Sequence, residues 1–343
     1  MNGRSIVRVL IGTSILVVAV WFMMRGVDLS AMFDILKHAD LVIAASCIPL
    51  VIGSHLMRAI RWRTLLRPTN HVTHLSTAFN SVMIGYAANT IVPRSGELIR
   101  PWVFARREGM PVATAMSSVL VERVIDVLTL LLAIALVMVL APGRFSEILP
   151  GFTPSMVATR LALPIGLLVV VLSLIVFTPL GIAIVHRVIR PMFSGLAEKL
   201  EKILTTVREG MSIIGQPRLY ARLVLETVII WVLYALPLWI IMQSLPFLSA
   251  HTITMVDAAI MLVIISVGVT IAPTPGALGV YQSFAQTALV VLAGATPTEG
   301  LAFGMLAWTV NYGLAFVVGA ICWLIESRNG ITFRSLSSKS LAH

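Results

Sequence analysis

Nine apolar runs decide what this chain can become: residues 6–24, 39–57, 76–92, 112–141, 160–186, 222–245, 255–272, 276–294 and 299–325. A helix needs about 20 apolar residues to cross a bilayer. Most of the runs reach that length, while 76–92, 255–272 and 276–294 are short. The apolar residues are continuous and do not alternate at period two, which excludes a membrane barrel and leaves helices. Only 12% of residues are charged, against about 25% in a soluble domain. That is too few to cover a water-facing surface. The expected fold is an all-α polytopic membrane protein with about 6–8 transmembrane helices. It reads as a single transmembrane domain over residues 1–327, with a cytoplasmic amphipathic segment at 190–221 and a short cytoplasmic tail at 328–343.

The net charge of +10 follows the positive-inside rule, since Arg and Lys gather at the ends of the runs. No basic patch interleaved with aromatics exists to bind nucleic acid. Arg4 and Arg8 place the N-terminus in the cytoplasm, and the run after them is too long for a signal peptide, so it is expected to stay as an uncleaved helix. Arg58, Arg61, Arg63 and Arg67 mark a cytoplasmic end, as do the basic loop 187–222 and Arg328, Arg334 and Lys339. Both termini are then cytoplasmic, and the basic loops are expected to attract anionic lipid. The loop 243–254 has no Arg or Lys and falls outside.

These assignments agree only if 76–107 does not cross. The stretch GYAANTIVPRSGELIRPWVFARR begins as a membrane helix, then meets Pro93, Arg94, Gly96, Glu97, Arg100 and Pro101. A hairpin entering from the cytoplasm and returning accounts for the charges. Irregular backbone at membrane depth is tolerated where protein or water covers it.

The stretch has a partner. Residues 90–98 read TIVPRSGEL and residues 270–278 read TIAPTPGAL, sharing Thr, Ile, Pro, Gly and Leu. Pro and Gly are expensive inside helices, so their coincidence carries the comparison. Three full spans lie between the copies, so they would be inverted, with hairpins at 76–107 and 255–294. The second could also be two full spans, and the Pro and Gly could merely form tight turns. Broken helices meeting near the midplane are a recurring transporter plan. Pro93 and Gly96 would be hinges of the first break, and Pro273, Pro275, Gly276 and Gly279 of the second. A half-helix starting at a break presents unpaired N–H groups to an anion, and Arg94 and Arg100 add charge.

Glu122, Arg123 and Asp126 stand near the start of the run 112–141. Glu122 and Asp126 share a helix face, and Arg123 reaches Asp126. Ionisable groups inside a membrane are a functional hypothesis by default; here they could equally pin that helix to Arg94 or Glu97. No other acid is expected deep in a span, with Asp257 and Glu299 at wet edges. Cys47 and Cys322 lie in apolar runs without metal spacing and read as buried thiols. His55 reads as a packed histidine. His71 and His74 lack partners at metal spacing, and no metal or cofactor is expected.

The blocks RAIRWRTLL (58–66), GYAANTIVPRSGELIRP (85–101), VERVIDVL (121–128) and APTPGALGVYQ (272–282) together resemble the flippase-like membrane family that includes the membrane region of lysylphosphatidylglycerol synthase/flippase proteins. The family's conserved-type positions in the second block, Gly-Tyr, Asn, Pro, Gly-Glu and Arg in this order, are matched at Gly85, Tyr86, Asn89, Pro93, Gly96, Glu97 and Arg100. The last block differs: Tyr281 and Gln282 stand where the family often has an acid. The resemblance implies a bacterial or archaeal inner (cytoplasmic) membrane and lipid movement between leaflets, without the aminoacyl-transfer domain of fused members. A lipid flippase is the expected function, with Arg94, Arg100 and Arg123 on phosphate beside Tyr86, Asn89 and Gly96. Glu97, Glu122 and Asp126 would form the charge network. A non-catalytic scaffold for a lipid-modifying enzyme and an intramembrane lipid-phosphate enzyme are the alternatives; the lack of a nucleophile–base pair argues against catalysis. The lipid and the oligomeric state, monomer or homodimer, stay open.

Overall fold

The computed structural model describes residues 26–69, 71–141, 179–191, 217–248 and 253–331, with a few isolated positions between them. Nearly all of run 6–24, most of run 160–186 and most of the amphipathic segment 190–221 lie outside the described residues. Every regular element described is helical. In chain order these are α1 (Leu29–His38), α2 (Leu41–Ala45), α3 (Ile48–Leu66), α4 (Leu75–Ile91), α5 (Gly96–Glu108), α6 (Val112–Leu140), α7 (Pro179–Ile184), α8 (Pro217–Gln243), α9 (Met255–Ile271), α10 (Val280–Ala293), α11 (Pro297–Trp308) and α12 (Leu314–Arg328). The end of the expected segment 190–221 belongs to α8, which starts at Pro217.

Local chemistry sets many of the boundaries. Asp28 caps α1 by accepting from the Ser30 and Ala31 amides, and Asp40 caps α2 through the Val42 and Ile43 amides. The Ser30 hydroxyl and those amides hold the Asp28 carboxyl below its usual range. Thr254 with Asp257, and Thr296 with Glu299, form reciprocal capping boxes at the starts of α9 and α11. Asp257 is therefore buried as a cap and not wet. Gly109 and Gly294 end α5 and α10 in the left-handed conformation.

Four stretches among the described residues are long and apolar enough to cross a membrane: Leu41–Leu66, Leu219–Gln243, Pro275–Ala293 and Pro297–Arg328. Their outward positions stay apolar, as at Val224, Val228, Val317, Ile321 and Leu324. Lipid tails are as apolar as these side chains, so tight packing holds such helices together. One core joins α8, α9, α10 and α11 through Ile241, Met242, Ile260, Met261, Leu289 and Phe303. Another joins α3 to α6 through Ala59, Trp62, Ala78, Phe104, Ala105 and Ala115, where the small residues let backbones approach.

α4 and α5 pack together as a helical hairpin. A Cβ on Gly96 would lie 2.1 Å from the Gly85 carbonyl oxygen, so the crossing admits no side chain there. The break covers Val92 to Ser95, with Arg94 left-handed at φ 61°. Side chains satisfy the opened backbone: Asn89 Oδ1 accepts from the Gly96 amide at 2.7 Å, and Ser95 Oγ donates to the Ala88 carbonyl at 2.9 Å. Pro101, expected to interrupt helix, lies inside α5. Near a helix start the missing N–H removes only one bond, to Glu97, and the chain continues to Glu108. Asn89→Ala is expected to leave the buried Gly96 amide unpaired and to lower stability by about 1–3 kcal/mol. A fall in the thermal midpoint in detergent checks this; an unchanged midpoint would mean another acceptor takes over.

A second break separates α9 from α10. It runs from Ala272 to Gly279 and holds one 3₁₀ turn, Pro275–Ala277, with Gly276 at φ 57° and Ala277 at φ 55°. Each break meets the end of the helix that leads into the other. Thr90 packs on Gly276, where an added Cβ would meet Thr90 Cγ2 at 3.0 Å. Arg94 Nη2 donates to the Thr270 carbonyl at 3.3 Å, and Trp308 Nε1 donates to the Gly276 carbonyl at 2.7 Å. Arg94 and Ala277 are the non-glycine residues with left-handed backbone among those described, and each sits in a break. Between α11 and α12 the helix does not end but widens into a π turn, Thr309–Gly313. α11 packs on α10, and α12 packs along α4.

Candidate functional site

The charged residues of α3, α5 and α6 converge on one carboxylate. Glu122 is fully buried at 0% exposure. Its Oε1 takes Arg58 Nη2 at 2.6 Å, Arg61 Nη2 at 3.3 Å and Arg123 Nη2 at 3.4 Å. Its Oε2 faces Arg100 Nη2 at 2.8 Å as an ion pair without hydrogen-bond alignment. Asp126, one turn along α6, pairs with Arg61 Nη2 at 2.5 Å, Arg123 Nη2 at 2.8 Å and Arg58 Nη2 at 3.5 Å. Four guanidiniums thus meet two carboxylates, and the centre keeps a formal excess of positive charge.

Spacing explains the convergence. Arg58 and Arg61 are one turn apart on α3, as Glu122 and Asp126 are on α6, so two helix faces meet as a basic and an acidic stripe. Arg100 comes from α5 and lies 3.9 Å over the Trp62 ring. Trp62 is fixed in turn by Nε1 donating to Ser118 Oγ at 2.8 Å. Arg58 Nη1 donates to the hydroxyls of Tyr86 at 2.7 Å and Tyr234 at 3.0 Å, which ties in α4 and α8. His55 packs on the Tyr86 ring at 4.4 Å, the packing role expected of it.

Beside this centre lies a cavity of about 70 Å³, lined by Arg58, Val82, Gly85, Tyr86, Asn89, Gly96, Glu97, Arg100, Val119 and Arg123. Arg58, Arg100 and Arg123 each keep a buried Nε–H that finds no acceptor among the described residues. Buried donors are almost always satisfied; Arg61 keeps an open Nε–H as well, away from the cavity, so three of the four open guanidinium Nε–H groups of the centre lie on side chains that line it.

Of the residues expected in a site, Tyr86, Asn89, Gly96, Glu97, Arg100 and Arg123 share this cavity, with Glu122 and Asp126 behind it. Arg94 does not line it; its guanidinium is spent on the Thr270 carbonyl in the last turn of α9. Glu97 does not join the ion-pair network among the described residues and is exposed at the cavity. Glu97 and Arg100 stand one turn apart on the same side of α5 and both line the cavity, Arg100 at its buried part and Glu97 exposed. Pro93 lies in the first break, and Pro273, Pro275, Gly276 and Gly279 in the second.

Arg58 and Arg61 were expected only as markers of a cytoplasmic end. α3 continues past them to Leu66, and Arg61 is 0% exposed. Their matching acids on α6 were the available signal. Glu226, inside the stretch Leu219–Gln243, corrects the expectation that no other acid lies deep in a span, and Glu326 is a further buried acid at the end of Pro297–Arg328. Glu226 pairs with Arg222 Nε at 2.7 Å and accepts from Thr64 Oγ1 at 2.9 Å, and Glu326 accepts from Asn80 Nδ2 at 2.7 Å. Each has a polar partner on another helix, which run-by-run reading does not reveal.

Apolar spans around a buried arginine centre define a multi-pass helical membrane protein. The chain belongs to the lysylphosphatidylglycerol synthase TM region family, matching it over residues 6–319. It is also 23% identical over 338 residues to a protein of Haloferax volcanii named Glycosyltransferase AglD, covering 91% of this chain and 53% of that protein. The chain thus spans about half the length of this curated relative. No solved structure matches.

Proposed function

We propose that the protein moves a lipid with an anionic head group between the leaflets of the cytoplasmic membrane. The observation that carries this reading is the set of unpaired, buried guanidinium N–H groups on Arg58, Arg100 and Arg123 at one cavity. Charge-assisted hydrogen bonds from arginine suit oxyanions such as phosphate and carboxylate, and phosphate is the oxyanion common to membrane lipids. In this reading the head group occupies the cavity while its tails stay among the exposed apolar side chains of Ile91, Val92 and Leu98 at the hairpin end. α4–α5 and α9–α10 act as re-entrant hairpins entering from opposite sides, two copies of an inverted repeat. The shared TI.P..G.L pattern and the contact of each break with the end of the helix that leads into the other support this. Both termini lie in the cytoplasm, with anionic lipid at Arg63, Arg67, Arg106 and Arg107.

We favour transport over catalysis. Three of the residues lining the cavity, Arg58, Arg100 and Arg123, are arginines, which keep their protons at neutral pH and are poor acids or bases, and Glu97 is the one carboxylate beside them. The printed name of the Haloferax protein raises sugar transfer as a second reading.

Leaflet-resolved lipid movement in proteoliposomes tests the proposal. Arg123 is partly exposed, so Arg123→Ala should fold. It is expected to slow movement about tenfold, the loss of one charged hydrogen bond. Equal, slow movement of every offered lipid by wild type and variant would sink the proposal.

A further inference from the structure

We infer that the group this centre accepts is a terminal, doubly charged phosphate, a phosphomonoester, in preference to the phosphodiester of common glycerophospholipids. This rests on the anion-site reading above and narrows it.

Charge is the first argument. Arg58, Arg61, Arg100 and Arg123 face Glu122 and Asp126. Two positive charges remain, and arginine cannot shed a proton to remove them. Arg58, Arg61 and Arg100 are buried, whereas Arg123 is partly exposed; the part of this excess that is buried is expensive. A monoester phosphate carries about −1.5 to −2 at pH 7, which closes the balance. A phosphodiester carries a single charge and leaves it open. Glu97 is exposed at the cavity, where water screens it far more than the buried pairs.

Donor count is the second. Three side chains, Arg58, Arg100 and Arg123, line the cavity with an open Nε–H each. A terminal phosphate offers three acceptor oxygens; a diester phosphate has two that are not esterified. Space is the third. Gly85 and Gly96 form one wall, with their backbones too close to admit even a methyl group at Gly96. A diester must lead two ester arms out of a cavity of about 70 Å³, and a monoester only one.

The same chemistry occurs on a lipid and on free phosphate, and one experiment separates them. The purified full chain in detergent is titrated with phosphatidate, with phosphatidylglycerol of the same acyl chains, and with inorganic phosphate, using thermal stabilisation as the readout. Phosphatidate is expected to half-saturate at a concentration at least about tenfold below phosphatidylglycerol, the worth of one more charge-assisted contact. Arg123→Ala is expected to shrink that ratio, and Arg94→Ala, outside the cavity, to leave it. The wild-type comparison needs no variant to fold. Equal half-saturation by the two lipids, both weakened by Arg123→Ala, would overturn the monoester assignment while leaving the anion site standing. Binding of both that neither Arg123→Ala nor Arg100→Ala alters would overturn the site as well. Inorganic phosphate matching phosphatidate would uphold the terminal phosphate and move its source from membrane to solution.

Discussion

Replacing Glu122 with alanine is expected to prevent recovery of folded protein, or to collapse its thermal midpoint in detergent. The carboxylate is wholly buried and touches Arg58, Arg61, Arg100 and Arg123. Without it, four guanidiniums from three helices share Asp126 alone, which does not reach Arg100 among the contacts described. Breaking a buried ion pair by removing one partner typically costs about 3–5 kcal/mol. Several pairs end here at once, so the effect should sit at or above that range. Size-exclusion profiles and thermal midpoints of wild type, Glu122→Ala and Asp126→Ala provide the check. Asp126 is partly exposed, and its loss should be milder. A Glu122→Ala midpoint equal to wild type would mean that the arginines are held apart by something other than this carboxylate.

The second large effect is expected at Gly96. An added methyl would sit 2.1 Å from the Gly85 oxygen, 2.7 Å from the Gly85 carbonyl carbon and 2.9 Å from Asn89 Oδ1. Two of these are backbone atoms of α4 and cannot rotate away. Gly96→Ala must therefore part α4 from α5, displacing Arg100 from Glu122 and opening the Asn89 cap. Overpacking costs about 1–3 kcal/mol where side chains can adjust; against backbone the cost should reach about 3 kcal/mol or more. Gly109→Ala is the control. An added Cβ there has no neighbour within 4 Å, and its cost comes from the left-handed backbone at φ 68° alone. If the two variants lose equal stability, close packing at the hairpin is not what Gly96 provides.

Much of this architecture is legible in the chain. Apolar runs long enough to span a bilayer leave few alternatives, and Pro93, Gly96, Pro275 and Gly276 mark the helix breaks because few other residues tolerate such backbone. Glu122, Arg123 and Asp126 stand out for the same energetic reason: charge among apolar residues needs a partner. The partners themselves were harder to read. Arg58 and Arg61 resemble ordinary positive-inside markers, since sequence does not say where a helix stops relative to the membrane. Only packing shows that α3 carries them into the bundle. Arg94 misleads in the other direction. Its place beside Pro93 and Gly96 reads as an anion contact, yet from a left-handed backbone its Nη2 reaches the Thr270 carbonyl in the last turn of α9. Glu226, Glu326 and Asp257 were missed because a single acid in a run carries no mark of its partner across the bundle.

The π turn at Thr309–Gly313 has a mechanical consequence. The rod Pro297–Arg328 belongs to both hairpins, with its first part seated on α10 and its last part on α4. One extra residue in a turn rotates everything beyond it by about 100°. A single continuous helix can thus present one packing face to α10 and a rotated one to α4. A tilt of α4 or of α10 is then expected to be felt at the other through this rod, and Thr309–Gly313 is the place on it where such a tilt can be absorbed.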